Sequence, residues 1–473
     1  MVSPSSETDG AEVSFNTGRF VTIRRQNFLN TALIQTFNND CLLGVFESNT
    51  LMSEDSASEQ SDARSLTSRR RFVQAAGITG TVGLSGLAGC LGGGAGGGGN
   101  SVTYGVVSPM TGPYGGLAEG QRNGAKLAIR HVNESDDLDV EIEGVYEDTE
   151  ADPSTGSRKA QSLVEQDGAS FLMGAISSST ALALNEFAKE QEVIYNPGGA
   201  AVPITGSNCN EWVFRAETNT AQMAEAVSDF TAENLGTKVW FHIADYAYGE
   251  SVMNRVEKRM KQGRSIDVVG RSRSKFGSSN FNSYISQIAN SDAEVVVLGM
   301  TGGDLINFVK QAASQGLKDN VNLMSPTMTF SVVRNALGKA AYGTYGGVRY
   351  VPELDTGTNQ SFVEAYQNEY DTPPDNFARV AYMSIRMTAK GIAEAGSSDP
   401  AAVKVALPGL EMETIMGTNQ FRDCDHQAMN PVWPGKLVAP DSGSGAADVE
   451  LNEQISGSDA LPACGDLGCN LSS

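Results

Sequence analysis

Short apolar runs alternate along the chain with segments whose apolar residues recur at helical spacing, beginning at residue 102. Residues 102–107 form a short apolar run that predicts a buried strand, and Ala125, Leu127, Ala128 and Val132 mark one face of a helix over 118–132. The same alternation predicts strands at 140–146, 171–173 and 193–195 and helices at 157–166 and 180–190. Strands and helices at this interval indicate a parallel sheet with helices on both faces.

A second series of the same kind follows residues 212–215, which predict a further strand. Helices are predicted at 220–234, 249–260, 281–289 and 305–315, and strands at 239–243, 266–270, 293–298 and 321–324. A strand at 347–351 and helices at 360–370 and 377–395 remain, and these must rejoin one of the two sheets. The sequence therefore predicts an α/β fold of two doubly wound parallel-sheet lobes.

The segment before residue 101 predicts export and anchoring rather than a fold. Residues 68–74, SRRRFVQ, resemble a twin-arginine export signal, and the weakly apolar run at 75–88 is too short and too rich in glycine to span a bilayer stably. The run ends at LAGC (87–90), which resembles a lipobox, so a lipid on Cys90 is expected to hold the protein at the extracytoplasmic face of the cell membrane. Glycine dominates residues 91–100, which predict a flexible tether.

Residues 1–67 form an extension ahead of this signal. Export signals rarely begin so late in a chain, and Met52 opens a short acidic lead, MSED. We therefore expect translation of the natural protein to start at or near Met52, which would leave residues 1–51 outside it.

The charge of the chain bears on its partners. The 56 acidic and 34 basic side chains give a net charge of −22, and because nine acidic and seven basic residues precede Leu91, the body alone carries −20. A surface this acidic repels nucleic acid, so no nucleic-acid partner is predicted. Such acidity is typical of proteins that stay soluble in concentrated salt, where charges are screened. A halophilic source is therefore expected, with an ordinary acidic protein as the alternative.

Motifs of enzymes and cofactor sites are lacking in the sequence. It contains neither the GxSxG pattern of a nucleophile elbow nor the GxxxxGK pattern of a phosphate-binding loop. The three histidines, His131, His242 and His426, lie far apart and not at metal-ligand spacing. No enzymatic activity, cofactor or metal is predicted.

Four cysteines follow Cys90: Cys209, Cys424, Cys464 and Cys469. An even number in an exported chain permits two disulfides, with three possible pairings, and the close spacing of Cys464 and Cys469 could clip the C-terminal residues. Free or metal-bound cysteines are the alternative, although no CxxC spacing supports them. Residues 441–473 are acidic and rich in glycine and serine, and they predict a tail.

Five segments occur in an order and spacing that are informative together: SPMTGPY (108–114), GAISSST (174–180), NPGG (196–199), WVFR (212–215) and DYAYG (245–249). Through them, residues 101–440 resemble the leucine/isoleucine/valine-binding protein family, which has the type I periplasmic-binding-protein fold. The resemblance implies two lobes joined by three crossover strands that close on a ligand by hinge motion. Lobe 1 would comprise residues 101–214 and 346–398, and lobe 2 residues 216–340 and 399–440.

The resemblance also implies a function. It predicts the solute-binding component of an ABC importer, with a small molecule as ligand, most simply a branched-chain or other amino acid, and a permease as partner. A ligand-sensing partner of a signalling receptor is the alternative, since the same fold serves as the input of such receptors.

Candidate ligand-binding residues of lobe 1 lie in loops that follow predicted strands. Ser177 and Ser178 open a predicted helix, where amides and hydroxyls suit a carboxylate, and in the resembling proteins this segment holds the carboxylate of the ligand. Ordinary capping of the helix is the alternative. Gly198 and Gly199 let backbone approach a ligand closely, or simply form a turn.

The remaining candidates belong to loops at the carboxyl ends of strands, where open α/β sheets bind ligands. Aromatic rings there can cover an apolar group, or can instead pack within their own lobe. The candidates are Tyr114 and Leu117 in lobe 1, and Tyr246, Tyr248, Thr301 and Thr327 in lobe 2.

One position departs from the resembling family. Amino-acid-binding relatives place a glutamate in lobe 2 against the ammonium of the ligand, whereas this chain has Thr327 there. A buried ammonium without a carboxylate is costly. Either Asp304 or Asp245 replaces that glutamate, or the ligand lacks an ammonium, in which case urea or short-chain amides are the alternative ligands.

Overall fold

The computed structural model describes residues 21–22, 100–443 and 445–471, so the predicted signal, Cys90 and the tether up to residue 99 lie outside the described residues. The strands are β1 (Val21–Thr22), β2 (Asn100–Ser108), β3 (Val140–Asp148), β4 (Phe171–Gly174), β5 (Ile194–Pro197), β6 (Lys238–Asp245), β7 (Asp267–Lys275), β8 (Val295–Gly299), β9 (Asn322–Ser325), β10 (Tyr345–Val348), β11 (Met412–Thr414), β12 (Gly417–Asn419), β13 (Trp433–Val438) and β14 (Asp448–Leu451).

The α-helices lie mainly between these strands. They are α1 (Gly115–Asn133), α2 (Pro153–Glu165), α3 (Ser178–Gln191), α4 (Thr220–Asn234), α5 (Ala247–Gly263), α6 (Asn282–Ala289), α7 (Gly302–Ser314), α8 (Ser331–Leu337), α9 (Asn359–Tyr370), α10 (Asn376–Ala395), α11 (Pro400–Ala406), α12 (Gly457–Ala460) and α13 (Cys464–Leu467). No helix within the described ranges is both long enough and apolar enough to cross a membrane.

Lobe 1 is built on a sheet of four parallel strands in the order β3-β2-β4-β5. Helices α1, α2 and α3 connect successive strands, and α10 packs against α1. The two helices approach closely at Gly124, where a Cβ atom would lie 2.2 Å from the carbonyl oxygen of Ala378. Tyr104, Leu172 and Ile194 from the sheet are fully buried between the helical layers. The predicted α/β class with parallel sheets is confirmed for this lobe.

Lobe 2 has an eight-stranded mixed sheet in the order β1-β14-β13-β10-β9-β8-β6-β7. Strands β7, β6, β8, β9 and β10 run parallel, whereas β13, β14 and β1 are added antiparallel at one edge. Val295, Val297 and Leu298 of β8 are fully buried, as expected for a central strand covered on both faces. The carboxyl ends of the five parallel strands therefore share one edge of the sheet.

The chain passes from one lobe to the other near residues 213–219, 349–351 and 427–432. The predicted strand at 212–215 is reduced to isolated bridges, Tyr195 with Val213 and Arg215 with Gln427, because each residue there pairs with a different neighbour as the chain crosses. The amide of Arg215 donates to the carbonyl of His426 at 2.9 Å. Neighbouring crossings are thus joined by backbone hydrogen bonds, as in a hinge.

The boundaries of the lobes differ from those expected. Residues 400–406, placed in lobe 2 by the resemblance, form α11, and Val403 and Leu407 pack against Gly391 of α10 in lobe 1. The hairpin of β11 and β12 follows on the same side, and the chain joins the lobe 2 sheet only at β13. Strand β10, in turn, pairs with β9 and β13, so residues 346–348 belong to lobe 2 rather than lobe 1. The first difference follows from packing, because Val403 of α11 and the adjacent Leu407 are buried against α10.

The predicted tail at 441–473 is built into the fold. Strand β14 pairs with β13, and Leu461 and Leu467 are buried. The disulfides join Cys209 to Cys469 and Cys424 to Cys464, so Cys464 and Cys469 pair with distant cysteines and not with each other. The composition of the segment suggested a tail, but its apolar residues and its cysteines all find partners in the body.

Candidate functional site

Loops at the carboxyl ends of the two parallel sheets meet between the lobes. Tyr114, in the loop between β2 and α1, is hydrogen-bonded through its hydroxyl to the hydroxyl of Tyr246, which follows β6. The amide of Ala247, at the start of α5, donates to the hydroxyl oxygen of Ser179 in the first turn of α3 at 3.3 Å. Lobes 1 and 2 therefore face each other across a closed crevice at the strand ends.

Aromatic side chains form one wall of this crevice. The aromatic cluster consists of Tyr114, Tyr246, Tyr248 and Phe276. Phe276 lies 5.3 Å from Tyr114 and 4.6 Å from Tyr246 between ring centroids, and Tyr246 lies 6.0 Å from Tyr248. Because the cluster joins side chains of both lobes, it both holds the crevice closed and presents ring surface to it.

Phe276 was missed by the sequence analysis. It follows β7, which runs to Lys275, whereas the apolar pattern predicted that this strand ends at residue 270. The outer part of β7 alternates arginine with serine, as the edge strand of a sheet does, and the apolar signal stops there. Leu117, which was predicted, lies on the lobe 1 side and would be 3.6 Å from a Cβ atom on Gly302 of lobe 2.

The start of α3 supplies polar groups from lobe 1. Ser177 occupies the N-cap position with an extended backbone, but its side chain makes no capping hydrogen bond. The hydroxyl of Ser178 accepts a hydrogen bond from the amide of Ala201 at 3.1 Å, which fixes the loop after β5. The hydroxyl of Thr180 is buried without a hydrogen-bond partner in the described part of the chain. The helix start thus retains donors that the protein itself does not use.

Gly198 and Gly199 are required by contacts within lobe 1. A Cβ atom on Gly198 would lie 2.7 Å from the amide nitrogen of Gln121, and one on Gly199 would lie 3.0 Å from the Cα atom of Ser178. The side-chain carbonyl of Gln121 accepts from the hydroxyl of Ser108 at 2.8 Å, but its Nε2 has no partner among the described residues although it is buried. Gln121, hidden in the middle of a helical pattern, is an additional candidate that sequence reasoning missed.

Lobe 2 contributes Thr301 and Thr327. The hydroxyl of Thr327 donates to the carbonyl of Met300 at 2.9 Å, so one of its hydrogen-bonding roles is structural. Thr301 precedes α7 without capping it, and its buried hydroxyl has no partner within the described ranges. Both residues follow parallel strands, at the edge of the sheet that faces lobe 1.

Asp304, in the first turn of α7, is a buried acidic residue whose charge acts on Tyr114 and Tyr246 of the aromatic cluster. It is 2% exposed and accepts a hydrogen bond from the amide of Gly277 at 3.0 Å. Burial raises the pKa of Asp304 to about 6, with the Gly277 amide opposing this rise. Burial raises the pKa of both Tyr114 and Tyr246, and the charge of Asp304 adds a smaller rise to each. Asp245, the other acidic candidate, is exposed.

Ionised side chains meet at the hinge beside this crevice. The hinge ion cluster consists of Glu217, Arg349 and Arg379, all at most 1% exposed. Arg349 pairs with one carboxylate oxygen of Glu217, and Nη2 of Arg379 lies 3.2 Å from the other. Tyr248 lies beside Arg349: burial raises the pKa of Tyr248, and the guanidinium offsets part of this rise. The cluster therefore borders the aromatic wall of the crevice.

The structure brings the predicted site residues into two groups. Ser177, Ser178, Gly198 and Gly199 lie together at the start of α3, whereas Tyr114, Leu117, Tyr246, Tyr248, Thr301 and Thr327 line the region where lobe 2 meets the loop before α1. The hydrogen bond between Ser179 and Ala247 connects the groups. Their part in binding stays a prediction.

A cavity of about 260 Å³ lies elsewhere, on lobe 1 between α1, α9, α10 and β11. It is lined in part by His131, Tyr382 and Arg386, and none of the predicted site residues lines it. His131 and Tyr382 are hydrogen-bonded to each other at 2.7 Å, and Arg386 donates to the same hydroxyl at 3.0 Å. Because these polar groups already satisfy one another, the crevice between the lobes, with its unpartnered buried donors, is the stronger candidate for ligand binding.

Comparison with known proteins agrees with this architecture. Residues 101–444 match the family described as periplasmic binding protein. The chain is 26% identical to the leucine-, isoleucine-, valine-, threonine-, and alanine-binding protein of Pseudomonas aeruginosa over 325 residues, which cover 68% of this chain and 86% of that protein.

Solved structures show the same fold. A periplasmic binding protein of Burkholderia mallei superposes with a TM-score of 0.72 at 24% identity, covering 80% of this chain and 100% of the other. A solute-binding protein of an ABC transporter from Rhodopseudomonas palustris, in complex with 3,4-dihydroxybenzoic acid, superposes with a TM-score of 0.69 at 22% identity, covering 77% and 99%.

Proposed function

The chain belongs to the periplasmic binding protein family, and from this premise we propose that it is the solute-binding component of an ABC importer, which captures a small ligand between its lobes and delivers it to a permease. The observation that carries the proposal is the meeting of Tyr114 with Tyr246, and of Ser179 with Ala247, across the crevice. Closure of this kind encloses a small molecule at the ends of parallel strands. A role as the sensing partner of a signalling receptor would use the same closure.

The ligand that we propose is an amino acid. Free donors at the start of α3 suit a carboxylate, the aromatic cluster suits an apolar side chain, and Asp304 is placed to receive an ammonium. The name of the Pseudomonas aeruginosa relative supports this choice. In this proposal Asp304 takes the role of the glutamate that Thr327 replaces. Its carboxylate is buried near the aromatic cluster, whereas Asp245 is exposed.

The location that we propose is the outer face of the cell membrane, through a lipid on Cys90. The order of arginine pair, apolar run, LAGC and glycine tether supports it. The same proposal includes a halophilic source, for which the net charge of −22 is the support. Replacing Cys90 with Ser should release the protein from membranes into the medium, and retention of the variant in the membrane fraction would contradict lipid attachment.

Ligand screening tests the function directly. We expect at least one compound among branched-chain amino acids, other amino acids, aromatic acids, short amides and urea to raise the melting temperature in concentrated salt, because a ligand that binds only the folded protein stabilises it by mass action. The measurement is a thermal shift followed by calorimetric titration. Chemical conversion of a compound, with no shift from any of them, would contradict a binding protein.

Replacing Asp304 with Asn should weaken binding of an amino acid by tenfold or more. The change removes the buried carboxylate that pairs with the ammonium. For the wild type, affinity should fall as the pH drops below about 6, because Asp304 then becomes protonated. Asp245→Asn is the matched control, since that side chain is exposed, and it should bind as the wild type does.

The ligand-free protein gives an independent readout of Asp304. Its folded pKa is raised above the unfolded value, so the folded state binds the proton more tightly and wild-type stability falls as the pH rises from about 4 to about 6. Asp304→Asn should lose this part of the pH dependence in thermal denaturation. Equal pH profiles for variant and wild type would show that Asp304 titrates normally.

A further inference from the structure

The hinge ion cluster contains one more cation than anion. Glu217 is shared between Arg349 and Arg379, and all three side chains are excluded from solvent. The buried carboxylate of Asp425 forms an ion pair with Arg422, with 2.5 Å between Oδ2 of Asp425 and Nη2 of Arg422. A buried charge without a counter-charge is costly, and proteins usually compensate it.

Arg349 also has donors that the protein leaves unused. Its Nη1 serves Glu217 and, at 3.4 Å, the carbonyl of Thr218, but Nε and Nη2 have no hydrogen-bond partner among the residues described. Although burial disfavours the charge, Glu217 raises the pKa of Arg349 above the ordinary arginine value, so the side chain stays a cation. Because buried polar groups are normally hydrogen-bonded, a buried guanidinium with two unpartnered nitrogens requires an explanation.

Another buried arginine, on α8, shows how a purely structural one is satisfied. Arg334 donates from Nε to the carbonyl of Thr329, from Nη1 to that of Ala447, and from Nη2 to the hydroxyl of Ser331. All three of its nitrogens are used, unlike those of Arg349. The protein is therefore able to saturate a buried arginine with its own groups. Among the described residues Arg379 lacks a partner for Nε alone, whereas Arg349 lacks partners for two of its nitrogens.

The idle side of Arg349 lies at the crevice. The residue comes directly after β10, at the carboxyl edge of the lobe 2 sheet, and its guanidinium carbon lies 5.4 Å from the ring centroid of Phe330. It also borders Tyr248, whose buried hydroxyl lies close to Arg349 and Thr327 but has hydrogen-bond geometry with neither of them in the described ranges. Three unpartnered polar atoms from two side chains thus converge at one place beside the aromatic cluster.

We propose that Arg349 binds a carboxylate of the ligand through Nε and Nη2, with the Tyr248 hydroxyl as a third donor, and that a ligand with a single carboxylate places it here rather than at the start of α3. Nε and Nη2 form one edge of the guanidinium, and their parallel N–H bonds match the two oxygens of a carboxylate. The negative charge also balances the extra cation of the hinge ion cluster. The ligand class is therefore a carboxylic acid, and urea and simple amides are poor ligands. This inference rests on the proposed binding function and specifies its ligand.

Matched acid and amide pairs test the ligand class. The probes are leucine with leucinamide, glutamate with glutamine, and benzoate with benzamide, titrated calorimetrically into the wild-type protein at fixed salt. For the pair that contains the best ligand, the acid should bind at least tenfold more tightly than the amide. The responsive pair also shows whether the carboxylate is that of an α-amino acid, of a side chain or of an acid without an ammonium.

Variants of Arg349 test the residue. Arg349→Gln should weaken binding of the acid by 30-fold or more and bring acid and amide within about threefold of each other. Arg349→Lys keeps the charge but loses the two parallel N–H bonds of the guanidinium, so it should keep a preference for the acid at reduced affinity. Arg273→Gln removes a cation from the exposed pair with Glu250 in the same lobe and should bind as the wild type does.

Folding of the Arg349 variant is checked by its ligand-free melting temperature. Glu217 keeps Arg379 as its partner in Arg349→Gln, and the extra buried cation is gone, so the melting temperature should stay the same or rise. A merely structural arginine would instead lower it. The inference is overturned if Arg349→Gln binds the acid as tightly as the wild type, or if the best ligand is urea or a neutral amide. Failure of every probe to bind the wild type would contradict the proposed function itself.

Discussion

Replacing Glu217 with Gln is expected to lower the free energy of unfolding of the ligand-free protein by about 3–5 kcal/mol, the range for breaking a buried ion pair by removal of one partner. Glu217 is the sole anion that touches both Arg349 and Arg379 in the described structure, and it also accepts from the side-chain amide of Asn376 at 3.1 Å. Without its charge, two cations would face each other in a site that water does not reach.

Urea denaturation at fixed salt concentration measures this loss. Glu250→Gln is the matched control, because Glu250 forms an exposed pair with Arg273 and such pairs contribute about 0.2–1 kcal/mol. A loss for Glu217→Gln as small as that of the control would mean that the cluster is accessible to water.

The double variant Glu217→Gln with Arg349→Gln tests whether the effects of the two residues on the free energy of unfolding are coupled. It removes one anion and one cation, so Arg379 is the one ion of the cluster that remains, and part of the lost stability should return. Glu217 and Arg349 contact each other, so their effects should not add. Strictly additive losses would show that the two side chains do not share an electrostatic environment.

The alternation of apolar runs was sufficient to predict most of the architecture. The helix predicted at 220–234 is α4 as the structure has it, since Asn219 and Gln222 form a capping box that marks its start. Helix α8, with seven residues, escaped prediction because it is too short to show a helical period. Residues 400–428 were assigned to the wrong side of the hinge, because the pattern of α11 is equally compatible with either sheet until its packing against α10 is known.

The site was predicted in part, and for a physical reason. Loops such as those of Ser177 and Tyr248 follow apolar strands, so their position at the edge of the sheet is implied by the strand itself. Arg349, Glu217 and Gln121 carry no such signal. Arg349 and Glu217 matter because they bond to each other although they are 132 residues apart in the chain. Gln121 matters because its Nε2 has no partner among the residues described. Neither property is visible in a local pattern.

The C-terminal segment links the lobes once more, after the three crossings. From β14 in lobe 2 the chain pairs Ile455 with Val432 and then returns to lobe 1, where the amide of Leu471 donates to the carbonyl of Cys424 at 2.9 Å. The disulfides fix this return at Cys209 and Cys424. We expect covalent attachment to stabilise this return, because α12 and α13 have only four residues each.

Removing the disulfide between Cys209 and Cys469 should therefore have the largest effect on stability. The bond closes a loop with a sequence separation of 260, for which the loss of chain entropy in the unfolded state corresponds to about 5.6 kcal/mol, whereas the separation of 40 for Cys424 and Cys464 corresponds to about 4 kcal/mol. The variant with serine at 209 and 469 should unfold at lower urea concentration than the variant with serine at 424 and 464, and both below the oxidised wild type. Under a strong reductant, all three proteins should unfold together, because the wild type then lacks both bonds. If both variants unfold with the wild type under oxidising conditions, the bonds do not stabilise the fold, and the return of the chain to lobe 1 depends on non-covalent contacts such as the packing of Leu461 and Leu467.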